Sequence, residues 1–276
     1  MIPRAHITAW RARAPWPANE QVEQDLVLSR ALVAMFQLAA VAEGAAFRGG
    51  TALHKVFLSA PGRYSEDIDL VQRDPGPIGG LIGAIRSSLD SWLGTPRWKQ
   101  GSGRFTLVYR FTTTFEPASE MRVKIEVNTR EHFSVLGVGR RSFVVENPWF
   151  AGSTELPVYE IDELLGTKMR ALYQRRKGRD LFDLWLASGR AAVDPDRVVT
   201  CFRRYLEHDG HSVSRAELEA NLLRKLADPG FGRDAEPLVA PGTPWDTGAA
   251  ARYVLEELAT RLPGEPWKGE VTTSTT

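Results

Sequence analysis

The chain has 276 residues, of which 43% are hydrophobic and 25% charged, and its formal net charge is +1. That composition is ordinary for a soluble globular protein and allows a substantial core, in one large domain or two small ones. Near-neutrality excludes a uniformly basic polyanion binder, so any nucleic-acid contact must come from a local patch.

In chain order, Met1 to Trp16 mixes arginines with prolines and lacks the apolar stretch of a signal peptide. No run of about 18 apolar residues follows, so no membrane partner is expected and the reading is cytoplasmic. Val22, Leu26, Leu32, Met35, Phe36 and Ala39 recur at helical spacing and predict a helix from Asn19 to Glu43, stopped by Gly44. A short strand over Ala46 to Arg48 runs into Gly49-Gly50-Thr51, and a helix follows through Leu58. Glu66 to Val71 alternates as a strand does, Ile78 to Leu93 reads as a helix, and three strands are predicted at Phe105 to Phe115, Arg122 to Asn128 and Ser142 to Val145. From Tyr159 onward the pattern turns helical: Glu160 to Tyr173, Asp180 to Ala187, Pro195 to Glu207, Ser214 to Leu226 and Gly248 to Leu262. The expected organisation is α+β, with a mixed portion over 1–157 holding a small mixed sheet, then an all-helical portion over 158–276. The tail from Gly264 to Thr276 is polar and expected to fray. The lone Cys201 excludes an internal disulfide and a multi-cysteine zinc site, suits a reducing compartment and reads as a small buried hydrophobe.

Five pieces carry possible chemistry. On a strand, Ser65, Asp67 and Asp69 share one face while Ile68 and Leu70 enter the core. Two close carboxylates repel unless a cation lies between them, and hard oxygen ligands suit Mg²⁺ or Mn²⁺; the plain alternative is a solvated strand face. Gly49-Gly50-Thr51, between strand and helix, lets backbone approach phosphate, or is simply a glycine turn with Thr51 as the helix cap. In Arg122 to Asn128, Lys124, Glu126 and Asn128 share a face; if this strand lies beside the first, Glu126 becomes a third carboxylate for metal binding or general base catalysis. Otherwise it is an amphipathic strand facing water. Lys168 falls within the apolar stripe of its helix, so its ammonium must meet an anion, such as a triphosphate, or snorkel to the rim. In Gln174 to Asp183, Gly178 breaks the helix. The flanking Arg175, Arg176, Lys177 and Arg179 can grip phosphates, and Asp183 can orient Lys168; helix-dipole logic explains the same charges. Five histidines give no metal-ligand spacing, though His54 and His132 fall near these motifs.

Taken together, Gly49-Gly50-Thr51-Ala52-Leu53, Arg63 to Leu70, Lys124-Ile125-Glu126, Lys168 and Lys177 to Asp183 resemble the AbiEii family of nucleotidyltransferase toxins, also called MenT-like, of type IV toxin–antitoxin systems. The N-terminal Ala14-Pro15-Trp16-Pro17 and Gln21 to Arg30 look similar too, so the resemblance spans Ile7 to Trp185. It implies a DNA-polymerase-β-type nucleotidyltransferase domain followed by a helical domain. It further implies Asp67 and Asp69 as metal ligands, acting with Ser65, Lys168 and Asp183, and transfer of nucleotides from an NTP to the 3′ end of tRNA. Some members bind GTP, and the partner is an antitoxin encoded alongside. Two features depart from the wider superfamily: Thr51 replaces a serine before a longer spacer, and Glu126 stands where many members have Asp. The expected assignment is Asp67, Asp69 and Glu126 on the metal, Gly49, Gly50, Thr51, Ser65 and Arg179 on the nucleotide, and Lys168 neutralising charge with Asp183 orienting it. Rival readings are nucleotidylation of a small molecule or protein hydroxyl, and a catalytically silent nucleotide-binding regulator.

Overall fold

Period-two alternation decides the centre of the sheet. In the computed structural model, which describes residues 2–269, the chain divides into two compact units, 1–159 and 160–276. The terminal residues 270–276 of the predicted frayed tail lie outside the described residues.

The first unit runs α1 (Arg4–Trp10), α2 (Asn19–Phe36), α3 (Ala39–Gly44), β1 (Ala45–Arg48), α4 (Gly49–Ala52) with a π-helical turn Leu53–Phe57, and β2 (Asp67–Gln72). It continues with α5 (Gly79–Leu93), β3 (Arg97–Gly101), β4 (Arg104–Thr112), β5 (Glu120–Asn128), β6 (Val138–Asn147) and β7 (Phe150–Tyr159). Seven strands form one mixed sheet in the order β3-β4-β5-β2-β1-β7-β6, larger than the small sheet expected. β2 lies parallel to β5 and antiparallel to β1, which in turn lies parallel to β7. Ile68 and Leu70 of β2, Val123, Ile125 and Val127 of β5, and Phe105, Leu107 and Tyr109 of β4 are all buried. Each such side chain contributes about 1.5–3 kcal/mol through burial. α2 and α5 pack over this sheet. Arg30 of α2 sets its guanidinium 4.1 Å from the Trp92 ring and 4.6 Å from Trp149, pinning α2 to its neighbours through cation–π contacts.

The long helix predicted over Asn19 to Glu43 is two helices, because Leu38 takes an extended backbone between them. Strands β3 and β7 and helix α1 were not expected. All of β3 is exposed, so its residues carry no apolar alternation to read. β7 runs through Pro157 and ends the first unit at Tyr159.

The second unit contains α6 (Ile161–Gln174), α7 (Gly178–Arg190), α8 (Pro195–His208), α9 (Arg215–Leu226), α10 (Pro229–Arg233) and α11 (Thr247–Tyr253), followed by π and 3₁₀ turns to Arg261. Asp194 caps α8 by accepting from the N–H groups of Asp196 and Arg197, with Pro195 in the first turn where its missing N–H costs nothing. Ser214 and Glu217 form a reciprocal capping box on α9. At the C-terminus of α6, Lys225 donates to the carbonyls of Leu172 and Tyr173; burial pulls its pKa down to about 8. A Cβ at Gly166 would strike Cys201, so only glycine lets α6 approach α8 this closely. The Cys201 thiol is buried and pushed up to about 12 by burial and the nearby Glu163, which makes it unreactive. Among the described residues no helix is long and apolar enough to cross a membrane.

Candidate active site

Register places the acidic residues. Asp67 pairs with Lys124 and Asp69 with Glu126 across the parallel β2–β5 ladder, and directly paired residues share a face. With Ile68 and Ile125 buried on the other side, Asp67, Asp69, Lys124 and Glu126 stand together on the opposite face, each half-buried. Ser65 precedes β2 and so lies off the strand that was expected to carry it. It is nonetheless drawn in, because its hydroxyl lies 2.8 Å from Thr51 Oγ1, and Thr51 Oγ1 in turn donates to the Asp67 carbonyl at 2.5 Å.

Thr51 is therefore a tie between the glycine turn and β2, not a helix cap: α4 begins at Gly49, and Arg48 occupies the cap position. Gly49 has φ +83°, and a Cβ there would run into the Asp69 carboxylate. A Cβ on Gly50 would strike the Arg63 guanidinium and crowd Ser65. The turn is glycine because backbone and acidic side chains meet there without room for a side chain. Gly49→Ala combines left-handed strain with that clash, and it should cost about 2 kcal/mol or more. A thermal melt is the check; an unchanged melting temperature would contradict the described packing.

Lys124 is the site residue to which sequence reasoning gave no role. Its Nζ lies 2.6 Å from Asp67 Oδ2 and 2.5 Å from Glu126 Oε2, while Arg104 reaches Glu126 Oε1 at 3.0 Å. Burial alone would raise the Glu126 pKa, but the Lys124 and Arg104 contacts outweigh it and hold the carboxyl below its ordinary range. Burial works against the Lys124 charge as well, yet Asp67 and Glu126 hold its pKa above the ordinary value. The other carboxylate oxygen of Asp67, Oδ1, is buried with no hydrogen-bond partner. Such an atom carries a desolvation cost unless something electropositive meets it. Among the described residues no group of three or more His, Cys, Asp or Glu side chains is gathered to hold a metal, and the Lys124 ammonium sits between Asp67 and Glu126.

Beside this turn a cavity of about 200 Å³ is lined by Thr51, Ser65, Arg63 and His54, with Asp25 and Lys55 in its wall. Asp25 is buried and fully engaged: Trp10 Nε1 donates at 2.8 Å, Trp16 Nε1 at 3.3 Å, and Lys55 Nζ contacts both oxygens at 2.8 Å. His54 Nδ1 accepts from the Gly62 N–H at 3.2 Å, and His132 Nδ1 lies 2.9 Å from the Gln72 carbonyl; both rings serve the backbone.

In the second unit Lys168 is 7% exposed, and its anion comes from the chain itself. Its Nζ lies 2.9 Å from Asp183 Oδ2 and 3.4 Å from Asp180 Oδ1, and both aspartates are fully buried. Arg175 completes the cluster with two bonds to Asp180, at 2.7 and 2.9 Å. The structure thus brings Lys168 and Asp183 together and adds Asp180 and Arg175. Arg179 is half-buried in the first turn of α7, and among the described residues its guanidinium has no ion-pair partner. Gly178 donates its N–H to Asp234 at 2.7 Å, and a Cβ there would collide with the Phe231 carbonyl.

Comparison with known proteins bears on the fold and the family. The solved structure of MenT4, a nucleotidyltransferase toxin from Mycobacterium tuberculosis H37Rv, superposes with a TM-score of 0.69 at 19% identity, covering 95% of this chain and 90% of that one. JHP933 from Helicobacter pylori gives a TM-score of 0.51 at 19% identity, over 88% of this chain and 95% of that one. At such identities these likenesses establish the nucleotidyltransferase fold. No curated protein matches the chain. Residues 30–253 match the family model described as nucleotidyl transferase AbiEii toxin, type IV TA system. The chain therefore belongs to the AbiEii family of nucleotidyltransferase toxins.

Proposed function

We propose that the protein transfers a nucleoside monophosphate from an NTP to the 3′ hydroxyl of an RNA, with tRNA the favoured acceptor, and that pyrophosphate leaves. The observation that carries this reading is the β2–β5 register: Asp67, Asp69 and Glu126 share one face beside a glycine turn, with a buried oxygen of Asp67 left unsatisfied. That oxygen fits a divalent cation. Asp67 through Oδ1 and Asp69 would hold Mg²⁺ or Mn²⁺, which when bound offsets phosphate charge and favours loss of pyrophosphate.

The chain's own residues explain how the site is kept ready. Lys124 anchors Asp67 Oδ2 and thereby fixes the carboxylate with Oδ1 as its unpaired oxygen, the role an outer partner plays for a ligating carboxylate. Glu126 joins the site as a third anion if Lys124 swings aside. Held below its ordinary pKa by Lys124 and Arg104, it is a weak proton acceptor, so we assign it to charge and positioning and not to general base catalysis. Gly49 and Gly50 leave space for phosphate oxygens. Thr51 spends its proton on the Asp67 carbonyl, so the Ser65 hydroxyl donates to Thr51 Oγ1 and would exchange that bond for one to phosphate. On this reading Lys168 neutralises developing charge, Asp183 orients it and Arg179 contacts the nucleotide. A type IV system also implies a cognate antitoxin as partner.

Incubating the purified chain with total RNA, bulk protein and each labelled NTP in turn is the direct test. Label in the RNA fraction alone, from one NTP above the others, is the expected result. Label in protein or in small molecules would replace RNA as acceptor; no label with any NTP and either cation would support a silent nucleotide-binding regulator.

A further inference from the structure

The face that carries Asp67 and Asp69 does not end at β5. Register continues it outward in two rows: Asp69, Glu126, Thr106 and Lys99 in one, and Asp67, Lys124, Val108 and Arg97 in the other. The opposite face is settled by Phe105, Leu107 and Tyr109, which are buried, and by Trp98, which stacks on Phe105 at 5.7 Å between ring centres. Arg97 and Lys99 therefore project on the Asp67 side.

That side holds more basic than acidic side chains, with Asp67, Asp69, Glu120 and Glu126 as its acids. It carries Arg97, Lys99, Arg104, Arg110, Arg122 and Lys124 across three adjacent strands. The four cations nearer the site have carboxylate partners: Arg104 and Lys124 with Glu126, Arg110 with Glu120, and Arg122 with Glu66 at 3.9 Å. Arg97 and Lys99, on the exposed edge strand β3, have no ion-pair partner among the described residues. A chain with a net charge of only +1 thus concentrates unneutralised positive charge at the far end of the rows that begin at the acidic pair.

We propose that this face of β3, β4 and β5 is the track for the sugar–phosphate backbone of the RNA acceptor, with phosphates on Arg97 and Lys99 first and Arg104 next, and the 3′ hydroxyl delivered to Asp67 and Asp69. The proposal rests on the transferase reading above. From β2 to β3 is three strand spacings of about 4.8 Å, roughly 14 Å. At about 3.4 Å per stacked nucleotide, that length accommodates about four residues of the RNA end. Exposed pairs such as Arg104–Glu126 are weakly held in water, so the guanidinium can exchange its carboxylate for a phosphate. A protein strand adding to the β3 edge would use its backbone groups instead and would leave the charged face unexplained.

The test is the double charge reversal Arg97→Glu, Lys99→Glu in the full chain, with Arg140→Glu on the opposite edge strand β6 as a charge control. Binding of total tRNA is measured from 50 to 200 mM salt, alongside KM for RNA and affinity for NTP. The double variant should bind RNA about tenfold more weakly at 0.15 M salt, and its salt slope should be shallower by about 1.4 to 1.8. NTP affinity and Arg140→Glu should match wild type. RNA affinity within twofold of wild type, or an equal loss in Arg140→Glu, overturns the track even if transfer itself is observed. Wild-type RNA binding that depends on Arg97 and Lys99 but is accompanied by no transfer would sink the transferase reading and leave the track standing. A wild type that neither binds RNA nor labels it rejects both.

Discussion

Asp67→Ala should lower nucleotide transfer at least about a thousandfold while leaving the protein folded. The substitution removes the buried Oδ1 that nothing in the chain satisfies, together with the oxygen that Lys124 holds at 2.6 Å. A cation in such a site supplies several kcal/mol to charge stabilisation, and about 4 kcal/mol corresponds to a thousandfold in rate. Stability should change little. Asp67 is only half-buried, and Lys124 keeps Glu126 as partner at 2.5 Å. Labelled-NTP incorporation with RNA in excess measures the first effect and a thermal melt the second. Wild-type transfer rates in Asp67→Ala would dismantle the proposed chemistry.

Asp180→Ala has the largest expected effect on stability, and it acts in the second unit. Asp180 is fully buried and faces two cations, with Arg175 at 2.7 and 2.9 Å and Lys168 at 3.4 Å. Deleting one member of a buried ionic cluster typically costs about 3–5 kcal/mol, because the remaining charge loses its compensation. At roughly 2–4 °C per kcal/mol for a chain of this size class, the melting temperature should drop by about 10 °C. The pH dependence has a definite sign. Burial raises the Asp180 pKa, but Lys168 and Arg175 outweigh it, so the folded value lies below the ordinary 3.8. The ionised carboxylate therefore contributes its full stabilisation above about pH 4 and loses it as pH falls through the folded value. The gap between wild type and Asp180→Ala should stay constant near neutrality and narrow in acid. A gap that widened in acid would mean the carboxylate is not stabilised as described.

Some of this architecture was legible because its signal is local. Ile68 and Leu70 alternate with the two aspartates, so β2 was readable, and β5 was readable from Val123, Ile125 and Val127. Four ordered motifs pointed to the family that residues 30–253 match. What escaped is non-local or hidden by polarity. Whether β5 lies beside β2 was open, since pairing is decided by the whole sheet, and with it the place of Lys124. Strand β3 could not be read because both its faces are wet. In α2, Glu23, Gln24 and Asp25 look like a solvated helix face, yet all three are buried. They are satisfied by partners far away in the chain: Thr114 for Glu23, Tyr64 for Gln24, and Lys55 with two tryptophans for Asp25. Lys168 was placed on a buried face, and the need for an anion followed; that Asp183 and Asp180 both supply it required the fold.

The ammonium wedged between Asp67 and Glu126 gives the two carboxylates a counterion that belongs to the chain. Zinc fingers gather ligands that cannot assemble until the ion arrives, so chelators unfold them. Here repulsion is already quenched by a residue the chain carries with it, so on the proposed metal-dependent reading folding does not wait for the ion. A chelator should silence such a toxin and leave its melting curve in place, and returning the ion should restore it without refolding.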